Sequence, residues 1–146
     1  MFLGTRQPTA SAEPSSLTIL VVDDEPVVRA TVGRVLKMHG CRVLEAGDGV
    51  EALEVAARHC GPIHLLLTEV EMPRLDGYGL QCRLNRHRPE LRTLFMSGCL
   101  ETGSPPPAAL LEKPFAAQML VRKVCEVLQV RELCRESTLS RRGARG

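Results

Sequence analysis

Aromatic residues are scarce in this chain, which has one Tyr, three Phe and no Trp among 146 residues. Surfaces that bind single-stranded nucleic acids usually stack the bases on aromatic rings. The formal net charge is only +2, and the stretch 131–146 accounts for it with five Arg against two Glu. The rest of the chain is close to neutral, without the clustered Lys and Arg that phosphate binding needs. We therefore expect no nucleic-acid partner, and we assign no function to the basic end.

Long apolar runs and paired cysteines are also missing. No run approaches the roughly 20 residues of a membrane helix, and the N-terminus lacks the basic and apolar stretches of a secretion signal. The six cysteines are scattered and form no C-x-x-C pair, which argues against a zinc site and a disulfide scaffold. These absences predict a reduced, cytoplasmic protein that does not span a membrane.

The length allows one ordinary domain with short flanking segments. Residues 1–16 are rich in Pro, Gly, Ser and Thr, so we expect a disordered leader or linker there. The domain is predicted over residues 17–136. A polar basic tail is predicted over residues 137–146.

Short apolar runs alternate with helical patterns along the predicted domain. A continuous apolar run such as 17–22 (LTILVV) is typical of a strand buried on both faces of a parallel sheet. The alternation predicts an α/β fold in which a doubly wound, five-stranded parallel sheet forms the middle of three layers. The predicted strands are 17–22, 41–46, 64–68, 92–97 and 109–112, and the last helix is predicted from Phe115 to about Glu136.

The segment between the fourth and fifth predicted strands contains three consecutive prolines, at 105–107. Prolines remove backbone donors and exclude a long helix. The helix expected at this place in the alternation should therefore be shortened or absent.

Polar side chains gather where the predicted strands end. Asp23 and Asp24 follow strand one, Glu69 follows strand three, Ser97 ends strand four and Lys113 follows strand five. The carboxyl ends of parallel strands share one edge of the sheet, so we expect all five side chains to lie there. Adjacent carboxylates need a cation, and an oxygen ligand set without His or Cys favours Mg²⁺. With a hydroxyl and an ammonium beside it, this edge is predicted to be a phosphoryl site.

Four motifs in this order give the chain a family resemblance: V-V-D-D-E-P, L-L-L-T-E-V-E-M-P-R-L-D-G, F-M-S-G and E-K-P-F. Across about residues 17–130 the chain resembles the receiver domain of two-component response regulators. The F-M-S-G and K-P-F motifs are most similar to receivers at the ends of hybrid histidine kinases. The resemblance implies a flavodoxin-like sheet with the strand order 2-1-3-4-5.

The resemblance also implies a role for each residue at the strand ends. The Mg²⁺ set would be Asp23, Asp24, Glu69 and Glu71, the last through its backbone carbonyl. Ser97 would be the hydroxyl that follows the phosphoryl group, Lys113 would be the cation beside it, and the next peptide bond, to Pro114, would be cis.

The phosphoacceptor position departs from the family. The family has an Asp at the end of strand three, and this chain has Glu69. One extra methylene moves the nucleophilic oxygen by about a bond length, and such a displacement can reduce a rate by roughly 100-fold. A glutamate also extends a permanent negative charge toward Ser97 and Lys113, which would imitate part of the phosphorylated state.

The surface through which many receivers bind their partners also departs from the family, because Leu110 stands where the family has its switch aromatic. The helix before it is also shorter than usual. Both changes predict a different protein partner or a different binding face.

Simpler interpretations remain for several residues. Asp23 and Asp24 could be helix-capping acids, and Glu69 could be a structural acid paired with Lys113. Asp76, in an Asp-Gly pair, is assigned to a turn. Cys99, in the irregular segment, is the one cysteine that we would test for reactivity.

Three functions compete at this point. The first is a non-enzymatic module that binds a protein partner independently of phosphorylation. The second is a working phosphorelay receiver that accepts a phosphoryl group from a histidine kinase on Glu69, with Mg²⁺. The third is a small nucleotide or flavin enzyme, which the absence of a glycine-rich phosphate loop disfavours.

Overall fold

The five predicted strands form one parallel sheet. The computed structural model describes residues 16–98 and 109–133. The strand order is β2-β1-β3-β4-β5, as the resemblance implies. The strands are β1 (Thr18–Val22), β2 (Arg42–Ala46), β3 (Leu65–Glu69), β4 (Arg92–Ser97) and β5 (Leu110–Glu112).

Helices cover both faces of this sheet. Within residues 16–98 and 109–133 they are α1 (Pro26–Met38), α2 (Gly49–Arg58), α3 (Gly77–His87) and α4 (Ala117–Leu128). In this described part of the chain, no helix has the length and hydropathy to cross a membrane. Each parallel connection that is described in full passes through a helix, as parallel strands require.

The central strands are buried on both faces because their side chains alternate between two cores. Ile19 and Val21 of β1 pack with α1 and α4 on one face. Leu20 and Val22 pack with α2 and α3 on the other face. All four side chains are fully buried, which explains why the run is continuously apolar.

The first helix ends at a glycine. Gly40 has a φ of 88°, which costs glycine little and other residues more. Its amide donates to the carbonyl of Lys37, and the amide of Cys41 donates to that of Leu36. This Schellman pattern uses helix carbonyls that would otherwise lack partners, and it turns the chain toward β2.

The last helix is shorter than predicted, and the predicted end near Glu136 is wrong. Helix α4 ends at Leu128, and Gln129 has a φ of 59°. The amide of Gln129 donates to the carbonyl of Glu126, and that of Val130 donates to Cys125. The same Schellman pattern therefore ends the helix without a glycine, which left no sequence signal. Leu133 then lies buried against the core.

Some predictions fall on residues 1–15, 99–108 and 134–146, which lie outside the described part of the chain. They include the leader, the basic tail, Cys99 and the shortened helix before β5. The domain boundaries stay predictions.

Candidate functional site

Three carboxylates surround one ammonium at the carboxyl edge of the sheet. The Nζ atom of Lys113 lies 2.6 Å from Glu69 Oε1, 2.9 Å from Asp23 Oδ2 and 3.1 Å from Glu25 Oε1. Asp23 follows β1, Glu69 ends β3 and Lys113 follows β5. The sheet topology therefore brings these three predicted residues together, and we call the four side chains the edge cluster.

Both carboxylate oxygens of Glu69 have partners. Oε1 contacts Lys113, and Oε2 accepts hydrogen bonds from the backbone amides of Val70 and Glu71 at 3.1 and 3.2 Å. The residue is only 7% exposed. The hydroxyl of Thr68 donates to its backbone carbonyl at 2.9 Å. The carboxylate is therefore held in one orientation, with its charge directed at the lysine.

Asp23 is fully buried and also has one charged contact. Its Oδ1 accepts a hydrogen bond from the amide of Glu25 at 2.9 Å. Its Oδ2 faces Lys113 outside hydrogen-bond geometry, so the ion pair is what compensates this oxygen. Arg29 donates to the backbone carbonyl of Asp23 at 2.7 Å. The helix-capping interpretation is wrong for this residue, because the N-cap of α1 is Glu25, without a side-chain cap bond.

The electrostatics of the edge cluster favour a charged lysine. Burial lowers the pKa of Lys113, but contacts with Glu69, Asp23 and Glu25 outweigh it, so the pKa is raised well above the ordinary lysine value. Opposite charges within about 4–6 Å favour the charged form in this way. Lys113 is therefore the positive charge that compensates the carboxylates of the edge cluster.

Ser97 adjoins the edge cluster through the backbone. It ends β4, it is 3% exposed, and its carbonyl accepts a hydrogen bond from the amide of Lys113 at 2.9 Å. The peptide bond from Lys113 to Pro114 is cis, as the resemblance implies. The backbones of Ser97 and Lys113 are therefore fixed side by side.

The loop after β3 is held close to Glu69 by a glycine. The amide of Gly77 donates to the carbonyl of Val70 at 2.8 Å, and a Cβ at this position would overlap the carbonyl oxygen of Glu69. Asp76, assigned to a turn from the sequence, is the N-cap of α3 and accepts from the amide of Gly79 at 2.8 Å. This pair therefore starts a helix that rests on the backbone of Glu69.

The predicted metal ligands are only partly brought together. Asp24 is exposed and stays outside the edge cluster, and Glu71 contributes its amide to Glu69. Among the residues that the structure describes, no three His, Cys, Asp or Glu side chains are grouped as metal ligands. The nearby oxygen donors still suit Mg²⁺ chemically, and Lys113 competes with it for Asp23 and Glu69.

Sequence reasoning missed two features of the site. Glu25 contributes the third carboxylate, and its only sequence signal was its place in the D-D-E run. The rings of Tyr78 and Phe95 are in contact, with centroids 4.9 Å apart. Phe95 pairs with Leu110 across β4 and β5, so an aromatic contact lies beside the position where the family has its switch aromatic.

The comparisons with known proteins identify the family. The sequence model of the response regulator receiver domain matches residues 19–125. The chain belongs to this family. It is a receiver domain of two-component signalling.

Relatives include both kinases and regulators. The sensor kinase CckA of Brucella abortus is 36% identical over 120 residues, which cover 78% of this chain and 13% of that protein. The response regulator MprA of Mycobacterium leprae is 37% identical over 120 residues, which cover 77% of this chain and 51% of that protein. The chain thus spans about half or less of these relatives.

A solved structure matches the fold closely. The receiver domain of the hybrid histidine kinase CckA is 38% identical, with a TM-score of 0.67 over 77% of this chain and 99% of that one. The predicted similarity to receivers of hybrid kinases is confirmed.

Proposed function

We propose that this receiver domain signals by binding a protein partner and that phosphorylation does not control it. The observation that carries the proposal is that both oxygens of the Glu69 carboxylate already have partners within the protein. Its Oε1 lies 2.6 Å from Lys113, and its Oε2 accepts two backbone amide hydrogen bonds. A phosphoacceptor needs a carboxylate oxygen that can attack phosphorus in line, and here both oxygens already have partners.

The same contacts supply part of the negative charge that a phosphoryl group would bring to the lysine. In the family the lysine at the position of Lys113 is the partner of the phosphoryl group, and here Glu69 is already paired with it. A carboxylate provides fewer acceptor oxygens and less charge than a phosphate. We infer a constitutive state that resembles the phosphorylated one in part.

Mg²⁺ has a secondary place in this proposal. It would be held by Asp23, Asp24 and the carbonyl of Glu71, while Glu69 keeps its contacts with Lys113. When bound, the ion would neutralise negative charge at the edge. The lysine already compensates Asp23 and Glu69, so we expect Mg²⁺ to bind weakly.

The partners follow from the family. We propose a protein partner, either a histidine kinase or a downstream signalling protein, in the cytoplasm. We propose neither a nucleic-acid partner nor an enzymatic reaction of the domain's own.

Intact-mass measurement after incubation with acetyl phosphate and Mg²⁺ tests the proposal. The wild type and Glu69→Asp are compared, with Glu69→Gln as a control that lacks a carboxylate at this position. We expect only the Asp variant to gain a phosphoryl group, because its shorter side chain restores the family's nucleophile. The same incubation without Mg²⁺ shows whether the acceptance depends on the metal.

The alternative function gives a different result. If the wild type gains a phosphoryl group that maps to Glu69, the domain is a working phosphorelay receiver and the proposal is wrong. If neither the wild type nor Glu69→Asp is modified, residues other than Glu69 also prevent phosphorylation at this edge. The inferred state that partly resembles the phosphorylated one is then wrong as well.

A further inference from the structure

A groove with a positively charged end lies between α2 and α3. Its volume is about 610 Å³, and its apolar floor includes Leu53 and Ala57. Arg83, Arg86 and His87 line one side of it. Among the residues described, no Asp or Glu lines this groove. The combination of an apolar floor with unopposed positive charge suits a ligand that is both acidic and apolar.

Arg88, which also lines the groove, has a structural role. Arg88 donates to the backbone carbonyls of Ala56, His59 and Gly61, each at 3.0 Å. These carbonyls belong to the end of α2 and the turn after it, where helix carbonyls lack partners. Arg88 therefore fixes the two sides of the groove relative to each other.

The other two arginines of the groove have no comparable structural role. Arg83 and Arg86 are exposed, and neither forms an ion pair with a described residue. Two arginines outside the groove are neutralised by neighbours, since Arg29 pairs with Glu45 and Arg74 pairs with Asp48. Residues 77–88 contain no Asp or Glu at all. The charge of the groove is thus left for a ligand outside the described chain.

We propose that this groove binds an acidic segment of a partner protein, with the carboxylates on Arg83 and Arg86 and an apolar side chain on the floor. This inference rests on the proposed function as a protein-binding module and names its binding face. A protein segment fits better than a nucleic acid. The floor is apolar and no Phe, Tyr or Trp among the described residues lines the groove, whereas nucleic-acid surfaces combine basic tracks with stacking rings.

Helix α3 joins the groove to the phosphoacceptor position. It begins at Gly77, against the backbone of Glu69, and Arg86 lies near its other end. At 1.5 Å per residue these two positions are separated by roughly 13 Å along the helix. The groove is therefore distinct from the edge cluster, and a ligand there leaves the edge uncovered.

Fluorescence anisotropy with synthetic peptides tests this assignment. The probe is a fluorescein-labelled peptide of Glu, Ser and two Leu at helical spacing, and its matched control has Lys in place of Glu. We expect the acidic peptide to bind and the basic one not to bind. Charge reversal by Arg83→Glu with Arg86→Glu should weaken binding by about tenfold or more, while Ala57→Glu, which adds a carboxylate to the floor, should also weaken it.

A matched variant separates the groove from overall charge. Arg34→Glu with Arg122→Glu makes the same charge change at exposed positions on α1 and α4, on the other face of the sheet. It should change the peptide affinity by no more than about twofold. Circular dichroism confirms that each variant is folded, and amide chemical shifts in the wild type should move in α2 and α3.

Three results would overturn the assignment: no binding of the acidic peptide, equal weakening in both double variants, or tighter binding of a duplex or single-stranded oligonucleotide. The anisotropy is measured on protein whose phosphorylation state is known from its intact mass. A phosphorylated Glu69 overturns the proposed function, whereas peptide binding that ignores Arg83 and Arg86 overturns only the groove.

Discussion

At the scale of single residues, Lys113 compensates two buried acids at once. Asp23 is fully buried, Glu69 is nearly so, and each lies within 3 Å of the ammonium. Removing one partner of a buried ion pair leaves a charge without compensation, which is more costly than the pair is stabilising. Lys113 should therefore be the residue on which the edge cluster depends most.

We expect Lys113→Met to lower the free energy of unfolding by about 3 kcal/mol, the low end of the range for buried pairs. Part of the side chain is exposed, which moderates the effect. Urea denaturation measures it. Lys113→Arg is the control because it keeps the charge, and adding Glu69→Gln to Lys113→Met should recover part of the loss. A loss below about 1 kcal/mol, typical of surface pairs, would show that the cluster is not buried as described.

At the scale of helices and strands, apolar pattern predicted where each strand lies. The predicted strand 92–97 coincides with β4, and the ends of the other strands differ by at most one residue from their predictions. Some helix ends carry a sequence signal, as at Gly40, where a glycine takes the left-handed backbone conformation. Others were missed where tertiary packing sets them, as at Gln129, because Leu133 must turn back to the core. Arg88 shows the same limit, since its partners lie about 30 residues earlier in the chain.

The contacts of Arg88 give a prediction for α2. Its three hydrogen bonds to carbonyls of residues 56, 59 and 61 are made by a charged donor. We expect Arg88→Ala to lower the free energy of unfolding by about 2 kcal/mol and to speed hydrogen exchange at the end of α2. Arg86→Ala, an exposed neighbour, should change neither quantity appreciably. Equal effects of the two variants would mean that Arg88 does not hold the helix end.

At the scale of the whole molecule, topology explains what the sequence could and could not predict about the site. Parallel strands share one carboxyl edge, so the order of strands and helices along the chain was enough to place Asp23, Glu69 and Lys113 together. Side-chain directions are not part of that rule. They bring Glu25 into the edge cluster, and they leave Asp24 outside it.

Two charged groups with shifted pKa values should make the free energy of unfolding depend on pH. At the start of α2 the amide of Glu51 lowers the pKa of Asp48, and Arg74 adds to this against the effect of burial. Because the pKa of Asp48 is lower in the folded state, its charge stabilises the protein at pH values above the unfolded pKa of about 3.9. This stabilisation is lost as the pH falls through the folded-state pKa. The pKa of Lys113 is raised, so its stabilisation is complete below about 10.4 and is lost only as pH rises through the folded value.

Urea denaturation from about pH 3 to about pH 9.5 separates these two contributions. Asp48→Asn keeps a helix-capping side chain but removes its charge, so the wild type should be more stable near pH 6 and should lose that advantage below about pH 4. The difference between the wild type and Lys113→Met should stay constant between about pH 7 and 9.5. Since the three carboxylates hold the proton on the lysine, a difference that already declines in that interval would place the ammonium outside the edge cluster.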